Sequence, residues 1–240
     1  CYNLGNLYSD LNRYTEAEKY SKQAYEICKR LAEKNPEAYE RYLADSCNNL
    51  GVLYIDLNRY AEAEKYSKRA YEIYKRLAEK NPEAYESDLA VSCNNLGILY
   101  CNLNRYTEAE EYYKRAYEIY KKLAEKNPEA YEPDLAMSCY NLGNLYSDLN
   151  RYTEAEEYYK RAYEIYKRQA ERNPEAYDED LAIVCHTIGE LYHKMGKERD
   201  AKEYCNQAVR IIERMKSRGG EVQEIEEEIN ELLAMLDEEE

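Results

Sequence analysis

The chain has 240 residues, and 34 basic against 49 acidic side chains give it a formal net charge of −15. That balance argues against nucleic acid, whose phosphates need clustered lysine and arginine, and against an anionic membrane surface. Hydrophobic residues make up 44% of the chain, enough to build a core, yet no apolar run reaches about 18 residues, the minimum for a membrane span.

Nine glutamates and one aspartate fall within residues 221–240, which hold no lysine or arginine, so the rest of the chain carries only −5. The acidic end is expected to be a solvated surface. The chain opens on CYNLGNLY at Cys1, inside a motif; no leader is expected, and an upstream part is. The motif returns at Cys47, Cys93 and Cys139, and more loosely as CHTIGELY at Cys185. Each copy starts 46 residues after the last, and the Asn-Pro pairs ending at Pro36, Pro82, Pro128 and Pro174 keep the same step. Internal repetition of this kind decides architecture before any local signal does. The units lie near 1–46, 47–92, 93–138, 139–184 and 185–218.

Within a unit two helices are expected. The first runs roughly from Asp88 to Leu103, where Leu89, Leu96, Leu99, Tyr100 and Leu103 keep three-four spacing. It ends at the polar turn NLNRY. The second runs roughly from Thr107 to Lys126, opened by a capping box of Thr107 with Glu110, repeated as Thr153 with Glu156. Pro128 stops it, and Pro133 suits the first turn of the next helix. No strand pattern occurs. A lone helical hairpin cannot bury its apolar face, but stacked hairpins can, so an all-α solenoid is expected over 1–218. After RGG at Arg218, Val222, Ile225, Ile229, Leu232, Leu233 and Leu236 mark an amphipathic helix with an acidic outer face. Residues 219–240 therefore read as a C-terminal cap. No matching N-terminal cap is expected.

The Leu-Gly pair, the following tyrosine and the small residues of the second helix (Leu50, Gly51, Tyr54, Ala63 and Ala70 in one unit) resemble the tetratricopeptide repeat. The resemblance extends to about Ser217. Cysteine stands where that family usually has tryptophan, and the 46-residue unit with NNLG looks most like the repeats of kinesin light chain. The resemblance implies a right-handed superhelix whose first helices line a concave, peptide-binding surface. It also implies that asparagine on that surface contacts the bound peptide's backbone.

On a helical wheel with Leu50 at 0°, Leu43, Cys47, Leu53, Tyr54 and Leu57 fall within about 60° and form the packing face. Asn48 falls at about 160°, Val52 at about 200°, Asp56 at about 240° and Asn49 at about 260°. Asn3, Asn49, Asn95 and Asn141 are thus expected to form a ladder off the packing face, each offering a donor and an acceptor. Thr187 breaks it in the fifth copy. The full expected groove is Asn3, Asn6, Asn48, Asn49, Val52, Asp56, Asn94, Asn95, Ile98, Asn102, Asn141 and Asn144. Some members of the family clamp a chaperone's C-terminal carboxylate with lysine and arginine. The corresponding positions here include Asn48, Asn94, Tyr140, His186, Val52, Ile98 and Glu190, none of them lysine or arginine. A neutral or basic peptide with hydrophobic anchors fits better.

Five cysteines share one repeat position, read as small buried apolar residues, and the absence of CxxC or zinc spacing implies a reducing cytoplasm and no cofactor. His186, Glu190 and His193 lie on one helical face, a weak metal candidate without a fourth ligand, and no metal is expected. No nucleophile–base pair or phosphate loop appears, so an enzyme is not expected. The sequence reads as a protein-interaction scaffold binding a peptide or protein segment. The alternative is a designed or excised repeat scaffold with no ligand, self-associating through its uncapped N-terminal repeat.

Overall fold

The Asn-Pro junctions start the first helix of each repeat. Asn35 and Asn81 are held extended, at φ −146° and −143°, because the following proline disfavours helix at its predecessor. Proline then takes the first helical position, where its missing N–H has no partner to lose. The computed structural model describes residues 2–219 and 222–238, apart from the side chains of 2, 3, 6, 10, 224, 237 and 238.

The described residues form eleven helices and no strand: α1 Tyr2–Asp10, α2 Tyr14–Lys34, α3 Pro36–Asp56, α4 Tyr60–Lys80, α5 Pro82–Asn102, α6 Tyr106–Lys126, α7 Pro128–Asp148, α8 Tyr152–Arg172, α9 Pro174–Lys194, α10 Glu198–Ser217 and α11 Gln223–Glu238. The chain divides into two units, residues 1–122 and 123–240, with the division falling inside α6. Each unit is a stack of helix pairs. In the first unit, Asp45 of α3 receives the Tyr74 hydroxyl of α4, and Glu40, earlier on α3, pairs with Arg76, later on α4, at 2.8 Å. One index falls as the other rises, so the pair is antiparallel.

Tight turns close the pairs. Asn58, Asn104 and Asn150 adopt φ 55° to 57°, a left-handed conformation asparagine tolerates better than most residues. Around Asn58, the Arg59 N–H bonds the Tyr54 carbonyl at 2.8 Å and the Asn58 N–H bonds that of Ile55 at 2.8 Å. This double closure satisfies the orphan carbonyls at the end of α3.

Two expected boundaries are corrected. First helices begin at the Asn-Pro proline, six residues before Asp88 in the case of α5. Pro133 accordingly sits inside α7, where its ring nitrogen has no N–H to offer the Glu129 carbonyl. The expected capping boxes are also absent. Arg151 is the N-cap of α8, without a side-chain cap bond, and Thr153 lies one residue inside the helix that Tyr152 begins. The turn places the arginine there, and its guanidinium Nε bonds Glu154 at 2.7 Å.

The core repeats with the sequence. Leu50, Cys47, Ala44 and Ala63 are fully buried in the first unit, as are Leu96, Cys93, Ala90 and Ala109. Each buried leucine contributes about 1.5–3 kcal/mol. Successive repeats are also clasped by polar groups. Glu18 accepts from the Tyr54 hydroxyl at 3.1 Å and from Arg59 at 2.9 Å, and Glu64 repeats this with Tyr100 at 3.1 Å and Arg105 at 3.0 Å. In the second unit Glu156 takes Tyr192 at 2.9 Å and Lys197 at 3.2 Å. At the end of that unit α11 packs on α10 and α9, burying Val222, Ile229, Leu232 and Leu236.

Candidate functional site

In the first unit the three-four spacing of α3 and α5 separates two faces. Leu50, Leu53 and Tyr54 turn inward with Leu96, Leu99 and Tyr100. On the far side Val52 and Ile98, one repeat apart, stay 40% and 39% exposed. Asn49 and Asn95 beside them are half-buried, and Asp56 and Asn102 are exposed. Asn3 and Asn6 belong to α1, but their side chains lie outside the described residues.

Asn48 is placed otherwise than expected. It is 9% exposed, its Nδ2 donates to Ser92 Oγ at 3.0 Å, and the same hydroxyl donates back to its Oδ1 at 3.2 Å. Both of its polar ends are used in tying α3 to α5. Its wheel angle of about 160° faces the next first helix, a direction a single-helix projection does not resolve. Asn94, the equivalent residue on α5, is half-buried.

In the second unit Asn141 is half-buried, and Asn144 accepts the Tyr159 hydroxyl at 2.7 Å. Burial pushes the Tyr159 phenol well above its usual range, so it stays a donor. Thr187 bonds the Ile183 carbonyl of its own helix at 3.0 Å and stands 3.3 Å from the Tyr140 hydroxyl. A cleft of about 760 Å³ opens between α7, α9 and α11, with Tyr140, Ile183, His186, Glu190, Val222 and Glu228 among its lining residues. The terminal helix thus forms one wall. Sequence reasoning treated that helix only as a lid, and four of its lining positions came only from the structure. The one signal for them was the acidic outer face.

The metal candidate does not assemble. His193 Nδ1 sits 3.1 Å from Glu198, while His186 leans toward Glu228 at 4.0 Å. The described residues hold no group of three histidine, cysteine, aspartate or glutamate side chains placed to bind a metal ion. The two imidazoles lie seven positions apart, and each faces a carboxylate on a different neighbouring element. Burial pushes the Cys47 and Cys93 thiols up to about 12, which keeps them protonated packing groups. No described helix is long and apolar enough to cross a membrane.

Models of the tetratricopeptide repeat match residues 2–76, 46–122, 88–168 and 182–214. No curated protein matches the sequence. Among solved structures, BtubC (BKLC) from P. vanneervenii superposes with a TM-score of 0.71 at 24% identity, over 89% of this chain and 78% of that one. A Podosopora anserina putative kinesin light chain with nearly identical TPR-like repeats gives 0.67 at 18%, over 91% and 95%. The Rap conjugation gene regulator of the plasmid pLS20, in complex with the Phr* peptide, gives 0.63 at 16%, over 98% of this chain and 61% of that one. These likenesses concern the fold. With family models covering most of its length and a helix pair in each repeat, the chain belongs to the tetratricopeptide repeat family.

Proposed function

We propose that the chain is a protein-interaction scaffold that binds an extended peptide segment along its first helices. The observation that carries this is the strip of Val52 and Ile98, large apolar side chains left about 40% exposed at the same repeat position. Asn49 and Asn95 flank it and supply amides suited to a peptide backbone. The Rap regulator, similar in fold, is solved with a peptide, which agrees with this reading. Binding of a random octapeptide library to the immobilised chain tests it. Retained peptides should bind Asn49→Ala/Asn95→Ala about 5- to 150-fold more weakly, as two lost hydrogen bonds predict. Unchanged affinity in a folded double variant overturns the reading.

A second reading, self-association without a ligand, has its own observation. Leu4 and Leu7 of α1 are 40% and 51% exposed, whereas their repeat equivalents Leu50 and Leu53 are buried. Sedimentation that stays monomeric at high concentration removes it.

A further inference from the structure

We propose that the outer face of α1 and α2 in the first unit is a docking surface for an amphipathic α-helix of a partner protein, one that carries a glutamate as the second helices of these repeats do. The surface is separate from the strip of Val52 and Ile98, and its test does not depend on that strip.

The repeats themselves show what the surface receives. One repeat further on, α3 packs against α2. The Glu18 carboxylate of α2 accepts from the Tyr54 hydroxyl at 3.1 Å and from Arg59 Nη1 at 2.9 Å, while Arg59 Nε donates to Glu62 at 3.0 Å. The Arg59 guanidinium lies 4.5 Å over the Tyr54 ring. Tyr8 and Arg13, the equivalent pair, hold the same arrangement: the guanidinium lies 4.6 Å over the ring, and Nε donates to Glu16 at 3.1 Å. Only the second acid differs. Among the described residues no carboxylate meets the Tyr8 hydroxyl or Arg13 Nη1. The receiving half of the clasp is therefore already assembled, with a phenol and a guanidinium set to donate to one carboxylate.

The apolar surface beside it agrees. Leu4 and Leu7 are exposed where Leu50 and Leu53 are buried, and Ile27 is 41% exposed where Ile73 is 6%. Helix α1 has its hairpin partner α2 and the next first helix α3, just as α3 has α4 and α5. The cover that α1 lacks is the one α2 gives to α3. Ile73 likewise shares a groove with Ala32 and Glu33 of α2, the preceding second helix. The surface is thus continuous in kind with an interface the chain already makes, and a helix is what fits it. A second copy of the chain does not supply that helix at its last repeat. There α10 carries Lys202 where Glu18, Glu64 and Glu156 stand, and it is packed against α11. A lysine facing Arg13 is repelled.

The test is fluorescence anisotropy of a labelled, end-blocked peptide with the α4 sequence, residues 60–80, titrated with the whole chain. Glu64 of the peptide stands at the clasp position. Saturable binding is expected, with Kd on the order of 100 μM for a single helix on an open face. The Glu64→Gln peptide should bind at least about fivefold more weakly. Arg13 is 53% exposed, so Arg13→Gln should leave the fold intact, as far-UV circular dichroism checks. That variant should bind the glutamate and glutamine peptides about equally, a coupling that a merely structural arginine would not produce. Leu7→Gln should weaken both peptides alike. No binding up to about 2 mM, or a preference for glutamate that survives Arg13→Gln, overturns the inference. Dimerisation of the chain alone, abolished by Leu7→Gln in sedimentation, gives the face to a second copy and overturns it as well.

Discussion

Gly143 and Gly51 occupy the same repeat position, yet alanine should act on them with opposite sign. A Cβ on Gly143 would stand 2.5 Å from Cε1 and 3.0 Å from Cγ of Tyr159. That ring is 2% exposed and its hydroxyl is tied to Asn144 at 2.7 Å, so it is held at both ends. Ordinary contact needs about 3.5–4.0 Å, and the ring or the helix must therefore give by about an ångström. Overpacking of this kind costs about 1–3 kcal/mol. Alanine recovers about 0.8–1 kcal/mol of helix propensity, leaving a net loss of up to about 2 kcal/mol. On Gly51 the new methyl would press only on Ser67 Oγ, with Ser67 Cβ and N at 3.4 Å. That hydroxyl has no hydrogen-bond partner among the described residues, so rotating it away sacrifices nothing. The propensity gain then stands, and Gly51→Ala should be neutral or stabilising by up to about 1 kcal/mol. Urea unfolding followed by circular dichroism, with m-values compared, reads both. In a Tyr159→Ser background the Gly143→Ala penalty should disappear, and the double-mutant cycle isolates the contact. Equal effects at the two glycines, or a Gly143 penalty that survives loss of the ring, would refute the packing argument.

Pro133 breaks the backbone ladder of α7 where the equivalent residues are Arg41, Ser87 and Glu179, so Pro133→Ser should raise the urea midpoint, by about 1–3 kcal/mol of stability; a lower midpoint counts against the helix start at Pro128. The Lys68 hydrogen bond, outweighing burial and helped by Arg105 and Tyr100, holds the Glu64 carboxyl below its usual range. Its folded pKa lies under its unfolded one, so the contribution is complete above about pH 4.5 and is lost as pH falls through the folded value. Glu64→Gln should therefore cost up to about 1 kcal/mol at pH 7, and the cost should shrink as pH falls below about 4.5, as paired denaturation curves would show. Of the seven described cysteines, Cys28 and Cys101 are half-buried and should react first with a thiol reagent. Cys47, Cys93, Cys139 and Cys185, buried and pushed up to about 12, should follow only on unfolding, as mass spectrometry of labelled peptides reports.

The repeat step, the second helices and the inward set around Leu50 and Leu96 were legible because each is a short-range pattern copied several times. Helix starts were less so. Pro128 reads equally as a stop and as a first residue, and only the extended backbone at Asn127 decides between them. Thr153 carried a capping signature, but the turn set by Asn150 delivers Arg151 to that place. On the outward face of the first helices, Val52 and Ile98 are exposed, as their wheel angles imply. Asn48 does not, because its partner Ser92 is 44 residues away and no single helix projection contains it. The cleft of the second unit was illegible for the same reason, being formed by α7, α9 and a terminal helix outside the repeat.

The clasp of Glu18 with Tyr54 and Arg59, renewed by Glu64 with Tyr100 and Arg105, runs in one direction along the chain. Every second helix in it offers an acid forward, and every following turn offers the phenol and the guanidinium that receive it. A gene segment of 46 codons inserted or lost in frame would therefore leave no mismatched seam, since the joined ends carry the same complementary halves. The substitution of Lys197 for arginine at Glu156 marks a junction where a copied segment no longer meets an identical neighbour.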